Sequence, residues 1–315
     1  MQSAFPFETR AHGKLLLTGE YFVLDGATAL AVPVCFGQTL RVEKGDLARH
    51  LRWVSKNPDD SIWFEALFEL PNFRIRMSTD LKTALTLFKI LDACKVQNPD
   101  FFLENQSFLV TTQNDFPRDW GLGTSSTLIA ALAHWVGVNP YKILFDTLGG
   151  SGYDIACAYA KGPILYRLEG QMPIIEPVVF APGFLNQLYF VFLGKKQNSR
   201  EGIAHYRERA PKSPVLLEKV SQLAKQFLEA KTLAELDPVL VAHELLIGET
   251  LMLPRAKDLY FADFWGEIKS LGAWGGDFVL VTSERPEAET RAYFLEKGLK
   301  IFLPWREMVL SNPEQ

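Results

Sequence analysis

The sequence predicts an α+β (mixed α/β) protein in two domains. Three observations carry that reading. The chain has 315 residues, long enough for two domains. Strand-like and helix-like apolar patterns interleave along it. The texture changes near Pro182-Gly183, where a loop precedes a new apolar strand, so the expected domains are 1–183 and 184–315.

The elements follow in order. Strands are expected at 14–18, 28–34, 39–43, 51–55 and 61–70, where β-branched and aromatic residues recur between turn residues. In the last of these, Ile62, Phe64, Leu67 and Phe68 mix alternation with an apolar doublet, which predicts a turn or bulge. The period of Leu81, Leu85, Phe88 and Leu91 predicts a helix over 81–94. A strand at 107–112 leads into a glycine loop, and a helix over 127–138 leaves it. Strands follow at 164–168, 174–180 and 188–193. Helices are expected over 215–229 and 233–253. A strand at 278–281, a helix over 286–297 with Pro286 at its start, and a strand at 300–303 complete the chain.

Composition narrows the function classes. Hydrophobic residues make up 48% of the chain, enough for a sizeable core. The net charge of −4 gives no general basic surface for nucleic acid or anionic membrane. Residues 1–8 have neither a basic region nor an apolar core of a secretory signal, and no apolar run is long enough to span a bilayer. Cys35, Cys94 and Cys157 are odd in number and lack CxxC spacing, so they read as reduced thiols of a cytoplasmic protein.

Four glycine-associated segments carry the candidate chemistry. The most informative is Gly121-Leu122-Gly123-Thr124-Ser125-Ser126, followed directly by apolar Leu128-Ile129-Ala130-Ala131-Leu132. A glycine loop feeding a helix start offers backbone N–H groups and the positive dipole end to an anion. Its hydroxyls can cap the helix or ligate Mg²⁺. An ordinary capped helix gives the same pattern. A second segment, Gly13-Lys14 through Gly19-Glu20-Tyr21, puts a lysine at the start of an apolar strand, where it suits phosphate as a point charge or simply faces solvent. The third, Gly149-Gly150-Ser151-Gly152-Tyr153-Asp154, sets an aspartate after three glycines, well placed to face a substrate or to cap a helix. The fourth is Gly272-Ala273-Trp274-Gly275-Gly276, which a hairpin loop would also explain. A polar stretch with Lys195, Lys196, Ser199 and Arg200 is either a substrate-phosphate site or a solvated loop.

In this order and together, the four segments resemble the motifs of the GHMP kinases, the superfamily of galactose, homoserine, mevalonate and phosphomevalonate kinases. The resemblance implies an N-terminal domain like domain 2 of ribosomal protein S5 and a ferredoxin-like C-terminal domain. It implies ATP and Mg²⁺, with backbone groups of Gly121, Leu122, Gly123, Thr124, Ser125 and Ser126, and Gly272, Gly275 and Gly276, around the nucleotide. Ser125 aligns with the Mg²⁺-ligating serine, Asp154 with the proposed general base, and Lys14 with the lysine near the transferred phosphate. Gly19-Glu20-Tyr21 and Ser151-Gly152-Tyr153-Asp154 resemble the phosphomevalonate kinase side of the family, which adds Glu20 and Tyr21 to the substrate residues.

The sequence departs from the family pattern in three places. The stretch from Ser125 to Asp154 is short, and its one carboxylate, Asp146, is the candidate substitute for an acidic metal ligand. Trp274 stands where the family has glycine, and Thr124 where it has serine. The expected function is an ATP-dependent small-molecule kinase, phosphomevalonate or mevalonate being the expected acceptor, as a monomer or homodimer. A non-catalytic metabolite-binding protein on the same fold is the alternative; a sugar kinase and a diphosphomevalonate decarboxylase rank lower.

Overall fold

The computed structural model describes residues 6–194, 199–209, 213–272, 274 and 277–311, with the side chains of 199 and 200 excepted. Two units emerge, each gathered from separate stretches of chain. The first comprises 1–13, 36–118 and 123–159; the second comprises 14–35, 119–122 and 160–315. No single cut at residue 183 separates them.

In the first unit, β1 (Phe7–Leu16) contributes its first half and β2 (Ala29–Lys44) its second. Next come β3 (His50–Lys56), β4 (Ile62–Glu69), β5 (Arg74–Ser78), α1 (Leu81–Gln97), β6 (Phe108–Asn114), α2 (Thr124–Val136), α3 (Pro140–Thr147) and α4 (Tyr153–Cys157). The strands run in the order β5-β4-β3-β6-β2. The β3–β6 pair is parallel and its neighbours are antiparallel, so the sheet is mixed. A register shift between Leu67 and Phe68 is the bulge expected from the apolar doublet.

Three sequence expectations change here for identifiable reasons. β1 starts at Phe7 rather than 14, because its inward positions are Thr9, Ala11 and Gly13, too small to show an apolar alternation. β2 runs unbroken where two strands were expected. Gly37 is what lets it continue: a Cβ there would lie 2.5 Å from the Ala11 carbonyl oxygen. The short 125–154 stretch still holds an eight-residue helix, α3. Pro140 opens it, and the Asn139 side chain accepts from the N–H groups of Tyr141 and Lys142.

The core of this unit lies between the sheet and the inward faces of α1 and α2. Leu40, Val42, Trp53, Phe64 and Val110 meet Leu87, Leu91, Ile129 and Leu132, all buried. Phe101, Phe102 and Phe108 each meet the Trp135 ring edge to face at 5.2–5.6 Å, the arrangement the ring quadrupoles favour.

The second unit holds the start of β2, paired with β7 (Ile164–Glu169) and through it with β8 (Met172–Pro177). A separate antiparallel sheet follows. It is built from β9 (Leu188–Phe192), β10 (Ile268–Ser270), β11 (Phe278–Thr282) and β12 (Phe302–Pro304), in the order β10-β11-β9-β12. The helices are α5 (Ser199–Arg209), α6 (Pro214–Glu229), α7 (Leu233–Leu251), α8 (Ala256–Tyr260), α9 (Glu287–Glu296) and α10 (Trp305–Met308). β9 and β11 are buried at every position, which is why both read as continuous apolar runs. Among the described residues no helix is long and apolar enough to cross a membrane.

Candidate active site

In the first unit the glycine loop delivers its hydroxyls to different places. Gly123, at φ 94°, stands before α2, and its carbonyl accepts from the N–H groups of Ser126 and Thr127 at 3.0 Å. Successive helix positions point about 100° apart, so the Ser125, Ser126 and Thr127 side chains diverge. Ser125 is exposed. Thr127 is buried and donates to the Thr124 carbonyl at 2.9 Å. Ser126 is buried and donates a short hydrogen bond to Asp154 Oδ2.

Asp154 sits in the first turn of α4, which Gly152 opens at φ 87°. Gly152, not Asp154, occupies the cap position. Its Oδ1 accepts from the Ile155 N–H at 3.0 Å. Tyr141 of α3 is near enough to feel this carboxylate. Burial pushes its hydroxyl pKa up, and the charges of Cys157 and Asp154 push it further. Asp146 is exposed on α3. Among the described residues no three His, Cys, Asp or Glu side chains converge to hold a metal ion.

In the second unit, the Lys14 ammonium donates to the Gly121 carbonyl at 3.1 Å, and the Lys14 N–H donates to the Leu122 carbonyl at 3.0 Å. The start of the glycine loop is thus bound to the segment that carries the lysine. Gly121 has φ 70°, and Asp277 leaves it no room for a side chain: a Cβ there would lie 2.6–2.7 Å from the Asp277 carboxyl atoms. Gly272, at φ 67°, lies near the same carboxylate. Trp274 is buried with Tyr21, Phe22, Tyr206, Val220, Ile247 and Leu251.

A buried polar cluster lies behind these segments. Lys269 and Glu20, 0% and 1% exposed, form a short ion pair. Glu20 Oε2 also faces His243 Nε2 at 3.2 Å. This second contact is not an ion pair, because burial, with the nearby Lys269 charge, holds the His243 pKa well below its ordinary value. Nε2 accepts the Gly19 N–H at 2.8 Å, so the ring proton belongs on Nδ1. Burial outweighs Lys269 and pushes the Glu20 carboxyl pKa up. Glu244 accepts from the N–H and hydroxyl of Ser270, and burial raises its pKa to about 7.

Solved structures share this architecture along nearly the whole chain. The mevalonate kinase of L. major, in complex with R-mevalonate, superposes with a TM-score of 0.67 at 16% identity, covering 99% of each chain. The phosphomevalonate kinase of Streptococcus pneumoniae, in complex with phosphomevalonate and AMPPNP, gives 0.67 at 16%, covering 94% of this chain and 99% of that one. The galactokinase of Lactococcus lactis, complexed with galactose, gives 0.67 at 13%, covering 97% and 93%. The fold is that of the GHMP kinases. No family model and no curated protein sequence matches the chain.

Within this GHMP kinase fold the expected site residues divide. Ser126 and Asp154 meet in the first unit; Lys14, Gly121 and Leu122 meet in the second. Glu20 and Tyr21, read as substrate residues, are 1% and 8% exposed. Glu20 is engaged by Lys269, and Tyr21 stacks on Tyr206 at 5.7 Å. Both lie in the interior of the second unit, because the turn that carries them folds inward. Gly275, Gly276, Lys195 and Lys196 lie outside the described residues, as do the side chains of Ser199 and Arg200. The sequence reading missed Lys269, His243 and Glu244. For the last two the signal was present, as polar residues inside the apolar pattern of α7.

Proposed function

We propose that the chain is an ATP-dependent kinase that transfers the γ-phosphoryl group to a small acceptor. The observation that carries this reading is the Asp154 carboxylate, held by Ser126 at the start of α2 beside an outward-facing Ser125 hydroxyl. Phosphoryl transfer needs in-line positioning and charge neutralisation more than covalent chemistry. Asp154 is the group to accept or orient the acceptor's proton. The N–H groups of 121–126 suit the triphosphate oxygens, because glycines at φ 70° and 94° turn the backbone toward an anion. Lys14 suits the transferred group as a compact positive charge.

The donor set fits Mg²⁺. The Ser125 hydroxyl is exposed, and Mg²⁺ characteristically completes its shell with phosphate oxygens and water rather than with an all-protein cage. When bound, the ion would neutralise charge on the phosphate oxygens. Asp146, exposed on α3, is the remaining carboxylate candidate.

For the acceptor, mevalonate or phosphomevalonate is the first reading, supported by the Gly19-Glu20-Tyr21 and Ser151–Asp154 sequence patterns. A sugar acceptor is the second, supported by the equally good fit to a galactokinase. A cytoplasmic location is supported by Cys35, Cys94 and Cys157, which form no disulfide; burial pushes the Cys94 thiol pKa up to about 12. The test is ATP consumption with mevalonate, phosphomevalonate, homoserine and galactose. Asp154→Asn is expected to cut turnover at least ~100-fold with nucleotide binding unchanged, and Lys14→Ala to lower turnover more than ATP affinity. ATP binding with no turnover of any acceptor would favour a non-catalytic metabolite-binding protein.

A further inference from the structure

Serine and threonine hydroxyls inside helices ordinarily bond back to a carbonyl one turn earlier. This protein does so repeatedly: Thr86 to Lys82, Thr147 to Ile143, Ser221 to Leu217, Thr250 to Leu246 and Thr127 to Thr124. Ser126 departs from that habit. Its hydroxyl, 6% exposed near the start of α2, reaches across to Asp154 Oδ2 on α4. Oδ1 of the same carboxylate is taken by the Ile155 N–H. These two donors occupy two of the roughly four lone-pair sites of a carboxylate. The two donors fix the plane of the carboxyl group and leave acceptor capacity on both oxygens.

We infer that Ser126 is a positioning residue for phosphoryl transfer: its hydroxyl holds the Asp154 carboxylate in the orientation that receives the acceptor's proton. The inference rests on the reading of Asp154 as the group facing the acceptor. It divides labour along three consecutive residues of α2. Ser125 faces outward, Ser126 faces the aspartate, and Thr127 closes its own helical turn.

The test compares wild type with Ser126→Ala and with Ser126→Cys, whose thiol is a weak donor of nearly the same size. Two readouts are taken: the Asp154 carboxyl-carbon chemical shift by NMR at one fixed pH, and kcat against KM for ATP with the accepted substrate. Ser126→Ala is expected to move that chemical shift. It should lower kcat about tenfold or more while KM for ATP stays within about twofold. Ser126→Cys should fall between. An unmoved chemical shift in folded Ser126→Ala overturns the inference; if that variant does not fold, an unmoved chemical shift in Ser126→Cys does so. If the wild-type protein phosphorylates no acceptor, the kinase reading falls by itself, and the chemical shift still decides whether Ser126 holds Asp154.

Discussion

The Glu20–Lys269 pair offers the sharpest test of the second unit. Both side chains are within 1% of complete burial, and Lys269 also donates to the Ser270 carbonyl at 2.9 Å. Lys269→Met keeps the stem and removes the charge. Glu20 is then left beside a neutral His243 and beside Glu244, with no cation to offset its desolvation. Removing one partner of a buried pair costs about 3–5 kcal/mol. Scaled by the usual entropy of unfolding for a chain of 315 residues, that lowers Tm by roughly 5–8 °C. The loss also depends on pH in a fixed direction. Without Lys269 the Glu20 pKa rises further, so folding favours its protonated form, and stability falls as pH rises from the unfolded carboxyl pKa toward the folded one. Thermal melts at pH 5 and pH 8 should therefore show a small loss at the lower value and the full loss at the higher. The double variant Glu20→Leu with Lys269→Met removes the stranded charge and should recover most of the stability. Equal losses at both pH values, or a double variant no better than Lys269→Met, would refute the reasoning.

Two further outcomes can be checked on the same protein. Gly121→Ala should destabilise by about 1–2 kcal/mol from its positive φ alone, with more from the clash against Asp277. A double-mutant cycle with Asp277→Ala, followed by urea unfolding, should show favourable coupling because the second change opens the space; additivity would mean that the carboxylate does not crowd Gly121. For Glu244, the folded pKa of about 7 lies above the ordinary 4.5, so its contribution to stability is fully present below about pH 4.5 and lost as pH rises to about 7, a span of roughly 3 kcal/mol. Glu244→Gln should flatten the stability profile in that window, as read by denaturant titration across it; an unchanged slope would assign the dependence to another group.

Most of the element order was legible in the sequence, because long apolar patterns such as those of α1, α6, α7 and β11 answer to period alone. The misses have local physical causes. The first half of β1 hides its alternation behind alanine and glycine, β10 is only three residues long, and β5 is largely exposed, so its apolar residues follow no buried face. The glycine loop and Asp154 were visible as segments, because glycine spacing is written in one dimension. Which of four adjacent hydroxyls turns toward Asp154 was not, since that depends on where α4 lies against α2. The inward burial of Glu20 was hidden for the same kind of reason: its partner Lys269 is 249 residues away in the chain.

Trp274 has a consequence for when ordering costs are met. It holds φ 44°, a conformation that glycine takes freely and an indole-bearing residue does not, and its ring is sealed among Tyr206, Val220 and Ile247. A glycine at this position would keep its conformational entropy until a ligand restricted it. The buried indole surrenders that entropy when the core forms, so folding bears the loss. The packing of α6 and α7 and the backbone conformation at Trp274 are thereby coupled through one side chain.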